Sequence, residues 1–332
     1  MPELRKDYVT DTWVVFAPAR AQRPIETQGA VRLANSASEC PFCPGHEHMT
    51  PPEIFAYRSN ESDGSAWRVR CIPNLFPALT PDGEVRTQVD GLFHSVEGVG
   101  AHDIIIETPD HSGTFSSLPK RQIQEVLRAY AARARTLARD PRLTYVLIFK
   151  NQGAEAGASL RHPHSQVIAT PIIPRRIQDE LRGAEAFRAE GGTCIYDGIV
   201  EDELEASERV VAANEAFVAL CPYASRFPFE LWILPRRHRP RFETITNRER
   251  QSLAGLLKDV LQRLEVLVGD PPFNWYVHTA PSDGGDYAHY HWHLEITPRL
   301  SRMAGFERGT GFYINSVPPE DAARLLRQAR EA

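Results

Sequence analysis

The sequence predicts an α+β fold in which two lobes are related by an internal duplication, each lobe being an antiparallel sheet with a crossover helix. Three observations support this prediction. Strands, a helix, a further strand and a His-x-His segment occur twice in the same order, each half carries an Asp-Pro pair after its helix, and 332 residues suffice for two ordinary domains. We place the N-terminal lobe at residues 1–175 and the C-terminal lobe at residues 176–332.

The first half contains strand segments followed by a helix. Residues 67–73 and 103–107 predict strands, and Phe76-Pro77 lies between them. Apolar residues at mostly helical spacing predict a helix from Pro119 to Asp140. An extended run follows at residues 145–149. A polar loop containing glycine then leads to the segment His162-Pro-His164-Ser-Gln166.

The second half repeats this order. Residues 217–221 and 231–234 match the first strands, and a helix is predicted from Thr246 to about Leu267, with Thr246 or Asn247 as its cap. A strand at residues 275–278 and the loop at Gly284-Gly285 precede His291-Trp-His293-Leu-Glu295. Chance similarity would not be expected to reproduce both the Asp-Pro pair and the His-x-His segment, so we favour duplication.

Two further helices complete the prediction. One runs from Arg175 to about Arg188 between the lobes and ends at Gly191-Gly192. The other lies near the C-terminus, from Ala322 to Arg330, after Pro318-Pro319-Glu320-Asp321. Proline at the start and acidic residues in the first turn are typical of helix N-termini.

Composition excludes several classes of protein. The chain is 42% hydrophobic and 24% charged, with a formal net charge of −5, whereas a nucleic-acid-binding protein usually has a basic excess. No apolar run approaches the roughly 20 residues that span a bilayer. The N-terminal residues lack the apolar stretch of a secretory signal, so we expect a cytoplasmic protein. Its five cysteines are then not expected to form a disulfide framework.

Three polar side chains near the end of the first half carry the chemistry. If the strand runs through this segment, His162, His164 and Gln166 share one face of it, because alternate strand residues point the same way. Burying them among apolar neighbours is costly unless they have a function. One imidazole is suited to bind a metal and the other to attack an electrophile.

Cys40-Pro-Phe-Cys43 supplies half of a tetrahedral zinc site. Two further ligands are required. The histidines at hand are His46, His48, His94, His102, His111 and His162. A local site with His46 and His48 and a site closed by distant ligands are both compatible with the spacing.

These residues together resemble galactose-1-phosphate uridylyltransferase, a branch of the histidine-triad superfamily. The resemblance is carried by the active-site-like run from Asn151 to Gln166 and continues over nearly the whole chain. Its further segments are Arg20-Ala-Gln-Arg23-Pro24, Cys40-x2-Cys43, Asn74-Leu-Phe76, Pro109-Asp-His111-Ser112 and His291-x-His293. The resemblance implies two histidine-triad-like lobes, which explains the repeat.

The resemblance also implies roles for individual residues. His164 would be the nucleophile that takes a nucleoside monophosphate, expected to be UMP, from a nucleotide sugar, and Gln166 would hydrogen-bond the phosphoryl oxygens. His162 would bind zinc together with Cys40, Cys43 and His111. Base, ribose and phosphates would be held, besides Gln166, by Arg20, Arg23, Asn74, Phe76, Asn151 and Ser159.

Further expectations follow from the same resemblance. Glu180, His278, His291 and His293 match a second metal site that would hold iron or zinc. A sugar 1-phosphate would accept the nucleotidyl group in a ping-pong reaction. The family is usually a homodimer, which is also the commonest oligomer. We expect neither a nucleic acid nor a membrane as a partner.

Three departures from the family pattern concern the substrate. Ser159-Leu-Arg-His162 replaces Ser-Asn-Pro-His, Leu75 replaces an acidic residue beside the nucleoside, and residues 305–315 lack the lysine and glutamate that grip the hexose phosphate. These features are closer to the branch that includes ADP-glucose phosphorylase. An adenylyltransferase of that kind is therefore one alternative. A nucleotide hydrolase of the histidine-triad superfamily is another, and a non-catalytic zinc-binding protein is a third.

Overall fold

The structure is a computed structural model that describes residues 1–7, 9, 12–18, 20, 36–58 and 66–329. Of the predicted site residues, Arg23 lies outside this part of the chain. The strands are β1 (Glu3–Lys6), β2 (Trp13–Phe16), β3 (Phe55–Arg58), β4 (Trp67–Pro73), β5 (Thr87–Asp90), β6 (Phe93–Glu97), β7 (Ala101–Ile106), β8 (Tyr145–Gln152), β9 (His164–Thr170), β10 (Val210–Ala213), β11 (Phe217–Leu220), β12 (Leu231–Pro235), β13 (Phe273–His278) and β14 (His293–Pro298).

Helices alternate with these strands in both halves. They are α1 (Lys120–Leu137), α2 (Arg175–Ala189), α3 (Ile195–Ala206), α4 (Asn247–Val268), α5 (Gly305–Thr310) and α6 (Pro319–Gln328). Pro119 caps α1, and Thr246 caps α4 through a capping box in which its hydroxyl accepts from the backbone N–H of Glu249. The predicted helices are confirmed to within a few residues at each end.

A ten-stranded sheet in the order β10-β11-β12-β14-β13-β8-β9-β7-β4-β3 joins the two halves. Every pairing in it is antiparallel. The predicted α+β class is thus confirmed. At the centre, β8 pairs with β13 in a register that sets Lys150 opposite Trp275. Outward from this pair, β9, β7, β4 and β3 on one side match β14, β12, β11 and β10 on the other. The repeat in the sequence is therefore a repeat in strand order.

One face of this sheet is covered by α1 and α4, which pack against each other. Val167, Ala169, Leu294 and Ile296 point into this helix-side core. Because strand residues alternate, His164, Gln166, His293 and Glu295 lie on the opposite face. The sheet thus separates an apolar layer from a polar layer, and both His-x-His segments end in the polar one. Among the described residues no helix is both long and apolar enough to cross a membrane.

A second sheet, in the order β2-β1-β6-β5, was not predicted. Its strands are only four or five residues long and mostly exposed, so they lack the apolar alternation on which a strand prediction depends. The division at residues 175/176 stays a prediction. It falls where α2 begins, while the main sheet and the core formed by α1 and α4 run continuously across both halves.

Candidate active site

Four predicted ligands converge beside β9. The side chains of Cys40, Cys43, His111 and His162 each offer one ligand atom, and these atoms all lie within 4.8 Å of one another. Cys43 Sγ is 3.3 Å from His111 Nδ1 and 3.6 Å from His162 Nδ1. Cys40 Sγ is 3.7 Å from His162 Nδ1. Two thiols and two imidazoles in this arrangement are a donor set that suits zinc.

Local structure presents each ligand to this cluster. The two cysteines lie on a turn closed by the hydrogen bond from Cys43 N to Cys40 O, at 3.2 Å. The ring of His162 is oriented by Thr108, whose carbonyl accepts from His162 Nε2–H at 2.7 Å, so Nδ1 faces the thiols. By contrast His46, a ligand in the local alternative, places its Nδ1 2.7 Å from Cys40 O and does not join the cluster.

The electrostatics of the cluster favour a bound cation. Burial, and then the neighbouring Cys40, raise the pKa of Cys43 to about 11. Burial lowers the pKa of His162 to about 4, so this imidazole is neutral at pH 7. Neutral imidazoles are ready ligands, whereas two adjacent thiolates require a positive charge between them.

His164 begins β9 next to the cluster. Its Nδ1–H donates to the carbonyl of His162 at 2.8 Å, which leaves the lone pair on Nε2. The ring of Phe42, which lies between the two cysteines, meets the His164 ring edge-on at 5.4 Å. The metal-ligand turn therefore contacts the imidazole directly.

Gln166 is held by a residue that the sequence analysis considered only as a zinc ligand. His102 on β7 lies with its Nε2 2.8 Å from Gln166 Oε1. The backbone N–H of Ala78 donates to His102 Nδ1 at 3.0 Å, and Asn74 Nδ2 lies 3.0 Å from His102 Nε2. The available signal was a histidine followed by an aspartate at the start of a strand that ends in three isoleucines.

The predicted nucleotide-binding residues fall into two groups. Arg20, Asn74 and Phe76 lie together, because Arg20 Nη1 donates to Phe76 O at 2.6 Å and Phe76 N donates to Asn74 Oδ1 at 2.9 Å. Asn151 on β8 instead accepts from Asn274 Nδ2 at 2.7 Å. Ser159 is exposed in the loop before His162.

A buried charge pair lies behind β9 and was not predicted. Lys150 Nζ donates to Glu107 Oε2 at 2.7 Å and to the carbonyl of His164 at 3.2 Å. Glu107 also accepts from the hydroxyls of Ser165 and Tyr130. Both charged side chains are at most 2% exposed. The network fixes the backbone of the strand that carries His164.

The second predicted metal set is divided between two clusters. Glu180, His278 and His293 lie together with Glu295, which was not predicted. His278 Nδ1 is 3.0 Å from Glu180, and Arg176 donates to both carboxylate oxygens of Glu295 at 2.9 and 3.0 Å. Arg226 also pairs with Glu295. Arginines therefore already balance much of the negative charge in this cluster.

His291, the fourth predicted member, belongs to the other cluster, with Cys194, Asp197 and His238. Its Nδ1 lies 2.8 Å from Asp197 Oδ1, and His238 Nδ1 lies 2.8 Å from the other oxygen of the same carboxylate. Cys194 and Asp197 flank the start of α3, a helix that the sequence analysis did not predict. Burial lowers the pKa of His291, so its imidazole stays neutral at pH 7.

The site beside β9 can therefore attack and hold a phosphoryl group. His164 offers the ring nitrogen Nε2 as nucleophile, and Gln166 offers amide hydrogens but no proton that it could donate as an acid. The cysteine turn and Lys150 fix the nucleophile from two sides.

Two family models match the chain. The family model for galactose-1-phosphate uridyl transferase, N-terminal domain, matches residues 1–174. A second model, described as a domain of unknown function (DUF4921), matches residues 95–331.

Similar proteins extend over the full chain. ADP-glucose phosphorylase of Arabidopsis thaliana is 38% identical over 98% of this chain and 93% of its own length. Galactose-1-phosphate uridylyltransferase of Thermotoga maritima is 32% identical over 99% and 98%, respectively. The crystal structure of the Arabidopsis phosphorylase with bound ADP-glucose superposes with a TM-score of 0.78, at 38% identity and 99% coverage of both chains. A uridylyltransferase structure superposes with a TM-score of 0.83, at 31% identity and with coverage of 99% of this chain and 98% of the other. This chain belongs to the galactose-1-phosphate uridyl transferase family.

Proposed function

We propose that the protein moves a nucleoside monophosphate, UMP in the first instance, from a nucleotide sugar to a sugar 1-phosphate through a covalent intermediate on His164. Nε2 attacks the α-phosphorus, a P–N bond forms, and the P–O bond to the departing sugar 1-phosphate breaks. A phosphate oxygen of the second sugar 1-phosphate then forms the new P–O bond while the P–N bond breaks. The observation that carries this proposal is the Nδ1–H bond to the carbonyl of His162, which places the lone pair of the imidazole on Nε2.

Gln166 favours transfer over hydrolysis. Its amide hydrogens bind phosphoryl oxygens but supply no proton to a leaving group. Sugar phosphates leave with little protonation, whereas an alcohol or amine leaving group needs an acid. The hydrolase alternative therefore has no group at residue 166 to perform its acid step.

We propose zinc as the metal held by Cys40, Cys43, His111 and His162. A zinc ion held by these four side chains would supply structure and would leave bond making to His164. It would close the cysteine turn and so press Phe42 against His164, at the 5.4 Å ring separation observed here. The nucleophile would then keep one orientation through both half-reactions.

A second metal, if bound, is proposed at Cys194, Asp197, His238 and His291 rather than at the set inferred from the sequence. Cysteine and imidazole donors suit zinc, and the Asp197 carboxylate already contacts both histidines. Glu180, His278, His293 and Glu295 are less suited to retain a cation, because Arg176 and Arg226 already compensate Glu295.

A second candidate function is an adenylyl transfer in which ADP-glucose is the donor and inorganic phosphate the acceptor. Two observations favour it. The 38% identity to an ADP-glucose phosphorylase extends over 98% of the chain. In addition Leu75, beside Asn74, is 61% exposed and offers no carboxylate to a ribose or base. The mechanism through His164 would be the same.

A homodimer is also proposed. Val89, Leu92 and Phe93 on the β5–β6 hairpin are more than 60% exposed, as expected of a surface that another chain covers. Light scattering coupled to size-exclusion chromatography tests whether the protein is a dimer.

A cytoplasmic location stays a prediction.

Partial exchange tests the proposed function. Labelled glucose 1-phosphate should enter UDP-glucose without any second acceptor, because the nucleotidyl-enzyme forms and reverts. ADP-glucose should replace UDP-glucose in this exchange if the adenylyl alternative holds. Absence of exchange with both donors, in zinc-loaded and folded protein, would reject both versions.

A further inference from the structure

His102 is a buried histidine outside the predicted catalytic set, and its hydrogen bonds leave it one arrangement. It is 5% exposed and lies on β7, the strand that pairs with β9. The N–H of Ala78 occupies the lone pair of its Nδ1 at 3.0 Å. A neutral imidazole in this position must carry its proton on Nε2. Nε2–H therefore donates to Gln166 Oε1, which lies 2.8 Å away.

This bond determines which end of the Gln166 amide faces the substrate. With the carbonyl oxygen engaged by His102, the NH2 group is the end that remains for a phosphoryl oxygen. In the reversed orientation, the Gln166 NH2 group would replace the oxygen that accepts from Nε2–H, and the carbonyl oxygen would face the negative phosphate. Both contacts would be repulsive.

His102 also connects Gln166 to the segment proposed to hold the nucleoside. The backbone N–H of Asn74 donates to the carbonyl of His102 at 2.8 Å. The side-chain Nδ2 of Asn74 lies 3.0 Å from Nε2 without a hydrogen bond, because both nitrogens carry protons in this tautomer. Asn74 in turn orients Phe76 through the 2.9 Å bond to its N–H. One imidazole thus contacts the nucleoside segment and the phosphoryl-binding amide.

We propose that His102 is a positioning residue that fixes the Gln166 carboxamide with its NH2 group toward the transferred phosphoryl group. Through its bonds to Asn74 and Ala78, His102 also fixes this amide relative to the segment from Asn74 to Ala78. The inference rests on the proposed function, since Gln166, the residue that His102 orients, acts in that reaction. His102 itself acts only through Gln166.

A double-mutant cycle tests this. His102→Leu removes the donor, and His102→Gln offers an amide donor in its place. We expect His102→Leu to slow formation of the nucleotidyl-enzyme about tenfold, the loss typical of one hydrogen bond, with little change in KM. His102→Gln should recover part of the rate. His102→Leu should have no further effect in a Gln166→Ala background. The matched control is His94→Leu on β6, which should keep the full rate.

A second readout does not depend on activity. In a 15N–1H correlation spectrum, the side-chain NH2 group of Gln166 gives a pair of cross-peaks. This pair is assigned by its absence from the spectrum of Gln166→Ala. This pair should shift or broaden in His102→Leu and stay in place in His94→Leu. An unchanged pair, or independent effects of the two substitutions on the rate, would overturn the inference. If no variant, including the parent protein, forms an adduct while the amide still responds to His102, the proposed function fails and the positioning contact stands.

Discussion

His164 and His293 occupy equivalent positions in the two halves of the ten-stranded sheet. Each is the first residue of its strand, and each directs Nδ1 to the carbonyl of the histidine two residues earlier, at 2.8 and 3.1 Å. The local backbone geometry that prepares a nucleophile is therefore present twice. What distinguishes the halves is the set of side chains around each imidazole.

Those surroundings restrict the proposed chemistry to the first half. The His293 ring lies against Tyr196 and Trp232, with ring centroids 4.9 and 5.2 Å away, and it is fully buried. Two residues further along β14, Glu295 stands where β9 has Gln166. Burial acts to raise the pKa of Glu295, but attraction by His278, the hydrogen bond with His293, and attraction by Arg226 and Arg176 together hold this pKa well below its ordinary value. A carboxylate there would repel a phosphoryl group.

Introducing a third imidazole at residue 166 should allow water to hydrolyse the nucleotidyl-enzyme. Gln166→His places an acid–base group where the amide now binds phosphoryl oxygens. General acid–base groups contribute about 100-fold or more, so we expect free nucleoside monophosphate to be released at least tenfold faster without an acceptor. Chromatography of the nucleotide products measures this. A Gln166→Asn control should lose transfer without gaining hydrolysis, and an equal rise in both variants would contradict the assigned role of the amide.

Removing one ligand of the first cluster should release metal and loosen the nucleophile. Cys43→Ser is expected to lower the zinc content by one equivalent per chain and to lower the free energy of unfolding by about 4 kcal/mol. Elemental analysis and chemical denaturation give the two values. Cys221→Ala, at another buried cysteine, should keep its zinc. Full zinc content in Cys43→Ser would count against the site.

The second metal assignment is tested by metal stoichiometry. If protein purified in zinc holds more than one equivalent, Cys194→Ser and His238→Ala should each reduce the content by about one, because each removes a donor from a four-residue site. Glu180→Gln should leave the content unchanged. The reverse pattern, with loss only in Glu180→Gln, would place the second ion at the cluster of Glu180, His278, His293 and Glu295.

The buried pair behind β9 should be sensitive to the loss of either partner. Lys150→Met leaves Glu107 without its cation in a fully buried position, which costs about 3–5 kcal/mol. Adding Glu107→Gln to this variant should restore a large part of the stability. Urea denaturation of both variants checks this. A loss below about 1 kcal/mol in Lys150→Met would mean that the network does not hold the strand.

The main elements could be predicted from the sequence, because apolar periodicity is a local signal. The ligand set of the first metal cluster, with the distant His111, was predicted only from the resemblance to a family. No signal in the sequence separates His291 from His293, which were expected to share one metal site. In the structure β14 begins only at His293, so His291 lies before the strand and its Nδ1 is directed to Asp197. His162 and His164 are separated in the same way at the start of β9.

Long-range pairings were beyond such reasoning. His102 and Gln166 are 64 residues apart, and Lys150 and Glu107 are 43 apart, so no periodicity connects them. Each partner alone is a polar residue in or directly after a mostly apolar strand. Such a position indicates a function but does not identify the partner. The order of the strands in the sheet brings these residues together. That order could not be predicted from the duplication alone, because it also depends on the pairing of β8 with β13 between the two halves.

The covalent intermediate is the central claim, and intact-protein mass spectrometry tests it most directly. The protein is exposed briefly to UDP-glucose and, separately, to ADP-glucose, with His164→Asn as the control. We predict a uridylyl adduct, or an adenylyl adduct if the phosphorylase-like alternative holds, that is absent from the folded, zinc-loaded His164→Asn variant. No adduct from either donor, or an adduct that persists in His164→Asn, would contradict the account.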